Sequence, residues 1–156
     1  MTQFFTQNSE VIIRLAVAII LGMLIGAERL LVHKEAGMKT HALVSMGAAL
    51  FIIISEFLVL KYSAVSGFNP AVIASNIIVG IGFLGAGSII FQGSRLSGLT
   101  TASGLWVTAG IGMASGFGLF SLAIIATVLV LFIFLIMNML EKPIRRISDH
   151  NNTNLD

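Results

Sequence analysis

The chain has 156 residues, of which 56% are hydrophobic and 10% charged, and its mean hydropathy is +0.99. A soluble domain of that composition would expose too much apolar surface to stay dispersed, so lipid is the solvent and the class is integral membrane protein. The absence of cysteine excludes disulfides, thiol catalysis and thiolate metal sites, and a formal charge of only +2 points to no nucleic-acid partner.

The N-terminal stretch MTQFFTQNSE has neither a basic n-region nor a small-residue cleavage pattern. The first apolar run is therefore expected to stay in place as an anchor. A bilayer core takes about 20 mostly apolar residues per helix. Segments near 11–32, 40–60, 71–91, 100–119 and 121–140 meet that length. The expected fold is all-α, a polytopic membrane bundle of about five transmembrane helices over residues 1–142, followed by a polar cytoplasmic tail over 143–156. Asn69 and Pro70 read as an N-cap and N1 pair opening the third span, and Pro143 reads as the stop of the fifth. The break from Gly118 to Ser121 is the thinnest, and four spans with a re-entrant segment is the alternative there. Basic residues set the orientation. Arg29, Lys34, Lys39, Arg95, Lys142, Arg145 and Arg146 fall on one side, against Arg14 and Lys61 on the other, which places the N-terminus out and the C-terminus in.

Small residues let membrane helices approach closely. Gly22 and Gly26 give the first span a GxxxG; Gly80, Gly82, Gly85 and Gly87 lie in the third, and Gly104, Gly110, Gly112, Gly116 and Gly118 in the fourth. Spans one, three and four are thus expected to form the interior, with the bulky fifth facing lipid. The GIGFLG run, Gly80 to Gly85, matches a dinucleotide-binding pattern, but its flanks are an unbroken apolar span and no acidic residue lies near position 105. It reads as packing.

Charges inside spans need a reason. Arg14 and Glu56 sit at similar depth near the outer side, either as an ion pair or as two groups snorkelling to headgroups. At the inner side Glu28, Arg29, Lys39, Thr40, His41, Arg95, Thr100 and Thr101 form a polar cluster. Snorkelling accounts for Arg29, Lys34 and Lys39. It accounts poorly for Glu28, which is expected to pair with Arg29, Lys39 or Arg95. Within the third span, Asn76 reads as an interhelical hydrogen-bonding group. One His and one Glu do not make a metal site, so neither metal nor cofactor is expected. No nucleophile triad or phosphate loop is present, and the chain does not read as an enzyme.

LGMLIGAER (21–29), AGMKTHALVSMGAALF (36–51), IVGIGFLGAGSIIF (78–91) and GLTTASGLWVTAGIGMASGFG (98–118) together resemble the MgtC/SapB family of bacterial inner-membrane proteins, over about residues 11–140. The resemblance implies a multi-span inner-membrane module tied to growth in low magnesium and, in some pathogens, to survival inside host cells and restraint of the ATP synthase. It carries functional weight onto Gly26, Glu28 and Arg29, onto Gly37 to His41, onto the glycines of 80–87 and onto Ser97 to Ala102. Lys39 stands where the family commonly has Arg, which replaces a bidentate fork by a point charge. Ser97 stands where a basic residue is common. Longer members carry a soluble C-terminal domain, and a short form without it is expected here. Three functions remain open: a regulator acting through a membrane partner, a transporter or channel for Mg²⁺ or another small ion, and an assembly subunit. A single carboxylate among cations suits an anionic group or lipid head better than Mg²⁺. A homodimer is the simplest closed assembly.

Overall fold

The computed structural model describes residues 8–62, 69, 71–93 and 95–152, with the side chains at 92, 95 and 141–152 outside that description. In chain order the elements are α1 (Ser9–Leu31), α2 (Met38–Tyr62), α3 (Ala71–Gly87), β1 (Ile90–Gln92), β2 (Arg95–Ser97), α4 (Leu99–Gly116) and α5 (Phe120–Asn152). The architecture is an all-α membrane bundle. Helices α1, α2 and the Phe120–Leu140 part of α5 are long and apolar enough to cross a membrane. At 17 and 18 residues, α3 and α4 are about 26 Å long, a little short of a hydrocarbon core. Large apolar side chains such as Phe57, Val79, Phe83 and Phe132 point outward, as a lipid solvent allows.

The helix ends follow local chemistry. Asn69 caps α3 through its side-chain oxygen, which accepts from the Ala71 N–H at 2.9 Å. Pro70, expected at N1, lies outside the described residues. Gly118, at φ 72°, closes α4: its N–H bonds the Ser115 carbonyl and that of Leu119 bonds Ala114. That paired turn separates α4 from α5 as two helices of an antiparallel hairpin, since Ala114 clusters with Ala123 at the turn while Gly104 lies against Phe134 far from it. The same turn closes α1, with His33 at φ 57° in the position glycine usually takes.

Two expected boundaries shift. Helix α5 runs on through Pro143 to Asn152, so Pro143 is not the stop and the expected tail is helical over much of its length. Losing one N–H is tolerated where the freed carbonyl finds another partner at a membrane edge. The third span ends at Gly87 because β1 and β2 follow it and pair antiparallel, with Phe91 opposite Leu96.

Backbone contact decides the interior. A Cβ on Gly22 would lie 2.6 Å from the His41 carbonyl oxygen, and one on Gly26 would lie 2.5 Å from the Met38 Cα, which makes α1 and α2 an antiparallel pair in direct contact. On α4, Gly112 lies against the Ser45 carbonyl and Gly116 against Ala49, so α4 runs parallel to α2. Gly80, Gly82, Gly87 and Gly110 meet nothing within 4 Å, and Gly85 makes only ordinary contact with Ala102. The interior is therefore α1, α2 and α4, and α3 flanks it. Composition marked α3 as glycine-rich without saying which way its glycines face. Helix α5 is not wholly lipid-facing either: Ala123, Thr127, Val130 and Phe134 form a buried stripe at helical spacing.

Candidate functional site

The expected inner cluster divides into a closed knot and an open mouth. The knot starts at the last turn of α1, where Glu28 is 6% exposed and Arg29 is 1% exposed. Arg29 donates from Nε to Glu28 Oε2 at 2.5 Å, and its guanidinium carbon stands 3.5 Å from the centre of the Phe134 ring. Asn138 of α5 donates from Nδ2 to the other carboxylate oxygen, Oε1, at 2.7 Å. Phe134 and Asn138 are one turn apart, so a single face of α5 covers both charges. A buried charge is tolerable only when paired and hydrogen-bonded, and here each has its partner. Arg29 does not snorkel.

Lys39 and Thr40 are exposed at the start of α2 and do not meet Glu28, which corrects the pairing expected between Glu28 and Lys39. Lys39 lies in the first turn of α2, on an exposed face. Arg95 lies in β2, and its side chain is outside the described residues. His41 is fully buried on the inner face of α2, with Nδ1 3.1 Å from the Gly37 carbonyl oxygen. A carbonyl only accepts, so Nδ1 carries the hydrogen. His41 Nε2 and the Oγ of Ser45, one turn on, are buried with no hydrogen-bond partner. They do not bond one another and neither reaches the surface, so they form no accessible nucleophile and base.

Thr100 is exposed and Thr101 buried, both in the first turn of α4. Gly98 precedes them at φ 89°, where a Cβ would run into the Ser88 carbonyl, and α4 has no side-chain cap. Thr101 and Thr40 line an open mouth of about 410 Å³. Deeper in, Gly104 leaves room for Phe134 and His41, at 3.4 and 3.5 Å from a would-be Cβ.

At the far end of the bundle Arg14 and Glu56 do pair, Nη1 to Oε2 at 2.5 Å. Arg14 also donates to the Gly116 carbonyl at 2.8 Å and to Glu10. One guanidinium thus ties α1 to α2 and covers the C-terminus of α4, where a cation is favourable. Asn76 is exposed on α3 and makes no interhelical hydrogen bond among the described residues. Instead it lines a groove between α2 and α3.

Reading the residues missed Asn138, Phe134, Ser45 and Glu10. Asn138 carried a signal, a lone amide in the apolar run FIFLIMNML, and intramembrane polar groups merit a partner search. Among the described residues no group of three or more His, Asp or Glu could hold a metal ion, and both Glu28 oxygens are already taken.

The MgtC family model matches residues 15–143. The chain is 42% identical over 129 residues to YhiD of Escherichia coli K12, whose name proposes a magnesium transporter; the match covers 81% of this chain and 60% of that protein. It is 42% identical over 136 residues to protein MgtC of Brucella abortus, covering 86% of this chain and 52% of the relative. To protein MgtC of Salmonella typhimurium it is 41% identical over 120 residues, 77% of this chain and 49% of the relative. The chain thus spans about half to three fifths of the length of these relatives. No solved structure matches.

Proposed function

The chain belongs to the MgtC family, and from that membership we propose that it is a non-enzymatic module of the bacterial inner membrane that supports growth in low magnesium through contact with a membrane partner. The observation that carries this reading is the closed knot. Glu28 and Arg29, the charges set deepest at the inner end, are spent on each other, on Asn138 and on Phe134. Little charge is then left inside to move an ion, whereas extensive apolar faces on α3 and α5 are free for other proteins or lipid.

The name of the Escherichia coli relative favours a second reading, magnesium transport. A Mg²⁺ path would offer several oxygen ligands and keep part of the ion's water. The experiment pairs Mg²⁺ flux in liposomes holding only this protein with growth of a deletion strain in low magnesium. Growth rescue without flux is the expected result; flux at transporter rates would replace the partner reading. We also propose a homodimer, the simplest closed symmetric assembly, with one isologous patch. Mass measurement in nanodiscs should give two copies, and monomer alone would overturn it.

A further inference from the structure

Two cavities lie side by side along the bundle. Between α2 and α3 lies an apolar groove of about 510 Å³, walled by Leu43, Ala48, Phe51, Ile73, Ile77 and Ile81. Val44 and Leu84 line both this groove and the mouth at Thr40 and Thr101, so the two adjoin. From Ile73 to Leu84 the groove runs about 16 Å along α3, close to half of a bilayer core of about 30 Å. That is the depth of one leaflet, and hence of one acyl chain. Asn76 is the sole amide on its wall.

The mouth is built differently. Thr101 is only 4% exposed and lines it, and its hydroxyl has no hydrogen-bond partner among the described residues. Thr40 faces it from α2. The first turn of α4 has no side-chain cap, so its N–H groups remain a site for an anion. Ser88 is not a free donor, because its hydroxyl already donates to the Gly85 carbonyl at 2.7 Å. Glu35 stands on the rim. Its carboxylate opposes a second negative charge and suits an ammonium.

We propose that groove and mouth together hold one phospholipid, with an acyl chain between α2 and α3, the phosphate at Thr40, Thr101 and the start of α4, and a phosphoethanolamine ammonium at Glu35. The apolar floor beneath the polar seat selects a lipid over free phosphate. Glu35 selects the zwitterionic ethanolamine head over an anionic glycerol head. The site is independent of the partner reading above, since a lipid can occupy it whether or not the module regulates, transports or assembles.

The test is native mass spectrometry of the full chain from nanodiscs containing equal amounts of phosphatidylethanolamine, phosphatidylglycerol and phosphatidylcholine with identical chains. The parent should retain one phosphatidylethanolamine per chain, preferred by about tenfold. Gly47→Leu and Gly80→Leu fill the groove at positions with nothing within 4 Å, and a leucine also favours helix over glycine, so both should fold. Each should lower retention of all three lipids about tenfold. Thr101→Val should weaken the phosphate seat and lower retention of every head, while Glu35→Gln should abolish the preference for ethanolamine over glycerol. Equal retention of the three lipids by the parent, or full retention by Gly80→Leu, overturns the proposal. So does displacement of the lipid by millimolar inorganic phosphate, which would mark the mouth as a free-anion site.

Discussion

Glu28 accepts from Arg29 on one oxygen and from Asn138 on the other, so replacing it strands two partners of different kinds. Glu28→Gln keeps the shape and the Asn138 contact but leaves the Arg29 cation buried with only the Phe134 ring. Breaking a buried pair from one side costs about 3–5 kcal/mol. Thermal unfolding in mild detergent should show that loss, and the double variant Glu28→Gln/Arg29→Met should recover much of it. If the double variant is no more stable than Glu28→Gln, the pair is not a closed unit. The sequence made Glu28 conspicuous as a carboxylate inside a span. Its partners were not legible, because Asn138 is 110 residues away and the choice among Arg29, Lys39 and Arg95 depends on which face of a helix turns inward. Depth separated them: Lys39, in the first turn of α2, is exposed, whereas Arg29 is on the buried stripe of α1.

The helices repeat that lesson at larger spacing. GxxxG on α1 pointed correctly to close contact, because Gly22 and Gly26 share a face by their four-residue spacing. The glycines of α3 share no such clue, and most of them look into open space. Gly112→Leu should therefore disrupt the fold, since its side chain must displace the Ser45 backbone, while Gly82→Leu should be tolerated. Size-exclusion profiles of the two variants after mild solubilisation check this. Similar profiles for both would mean that α4 does not touch α2 as described. Short-range chemistry gave the end of α4 through Gly118, but not the end of α1, where a histidine takes the left-handed position. The Gly-Ser pair after Phe91 did carry a hairpin signal, masked by the apolar run leading into it.

For the molecule as a whole, composition alone identifies lipid as the solvent, because no soluble arrangement hides 56% hydrophobic residues in so short a chain. Neighbouring contacts also alternate as successive crossings require: α1 antiparallel to α2, α2 parallel to α4, α4 antiparallel to α5. Placement of the basic residues then predicts which side is which. Reporter fusions after Asn8, Gly37, Gly67, Gly93 and Asn151 should read out, in, out, in, in. An outside C-terminus would sink the orientation and the count of crossings together.

Helix α4 has a consequence for synthesis. It holds six buried Gly, Ser and Thr residues, and its length and hydropathy fall below those of the helices that can cross alone. A segment of that kind gains little from lipid itself; its stability comes from the backbone surfaces of α1 and α2 waiting for it. The ribosome delivers those two first, so the nascent chain already offers a cradle when α4 emerges. Fused alone between soluble reporters, Leu99–Gly116 should insert poorly, and with residues 1–98 ahead of it should insert efficiently. Gene order along the chain is thus also an assembly order, in which the most tightly held helix is the one least able to enter the membrane by itself.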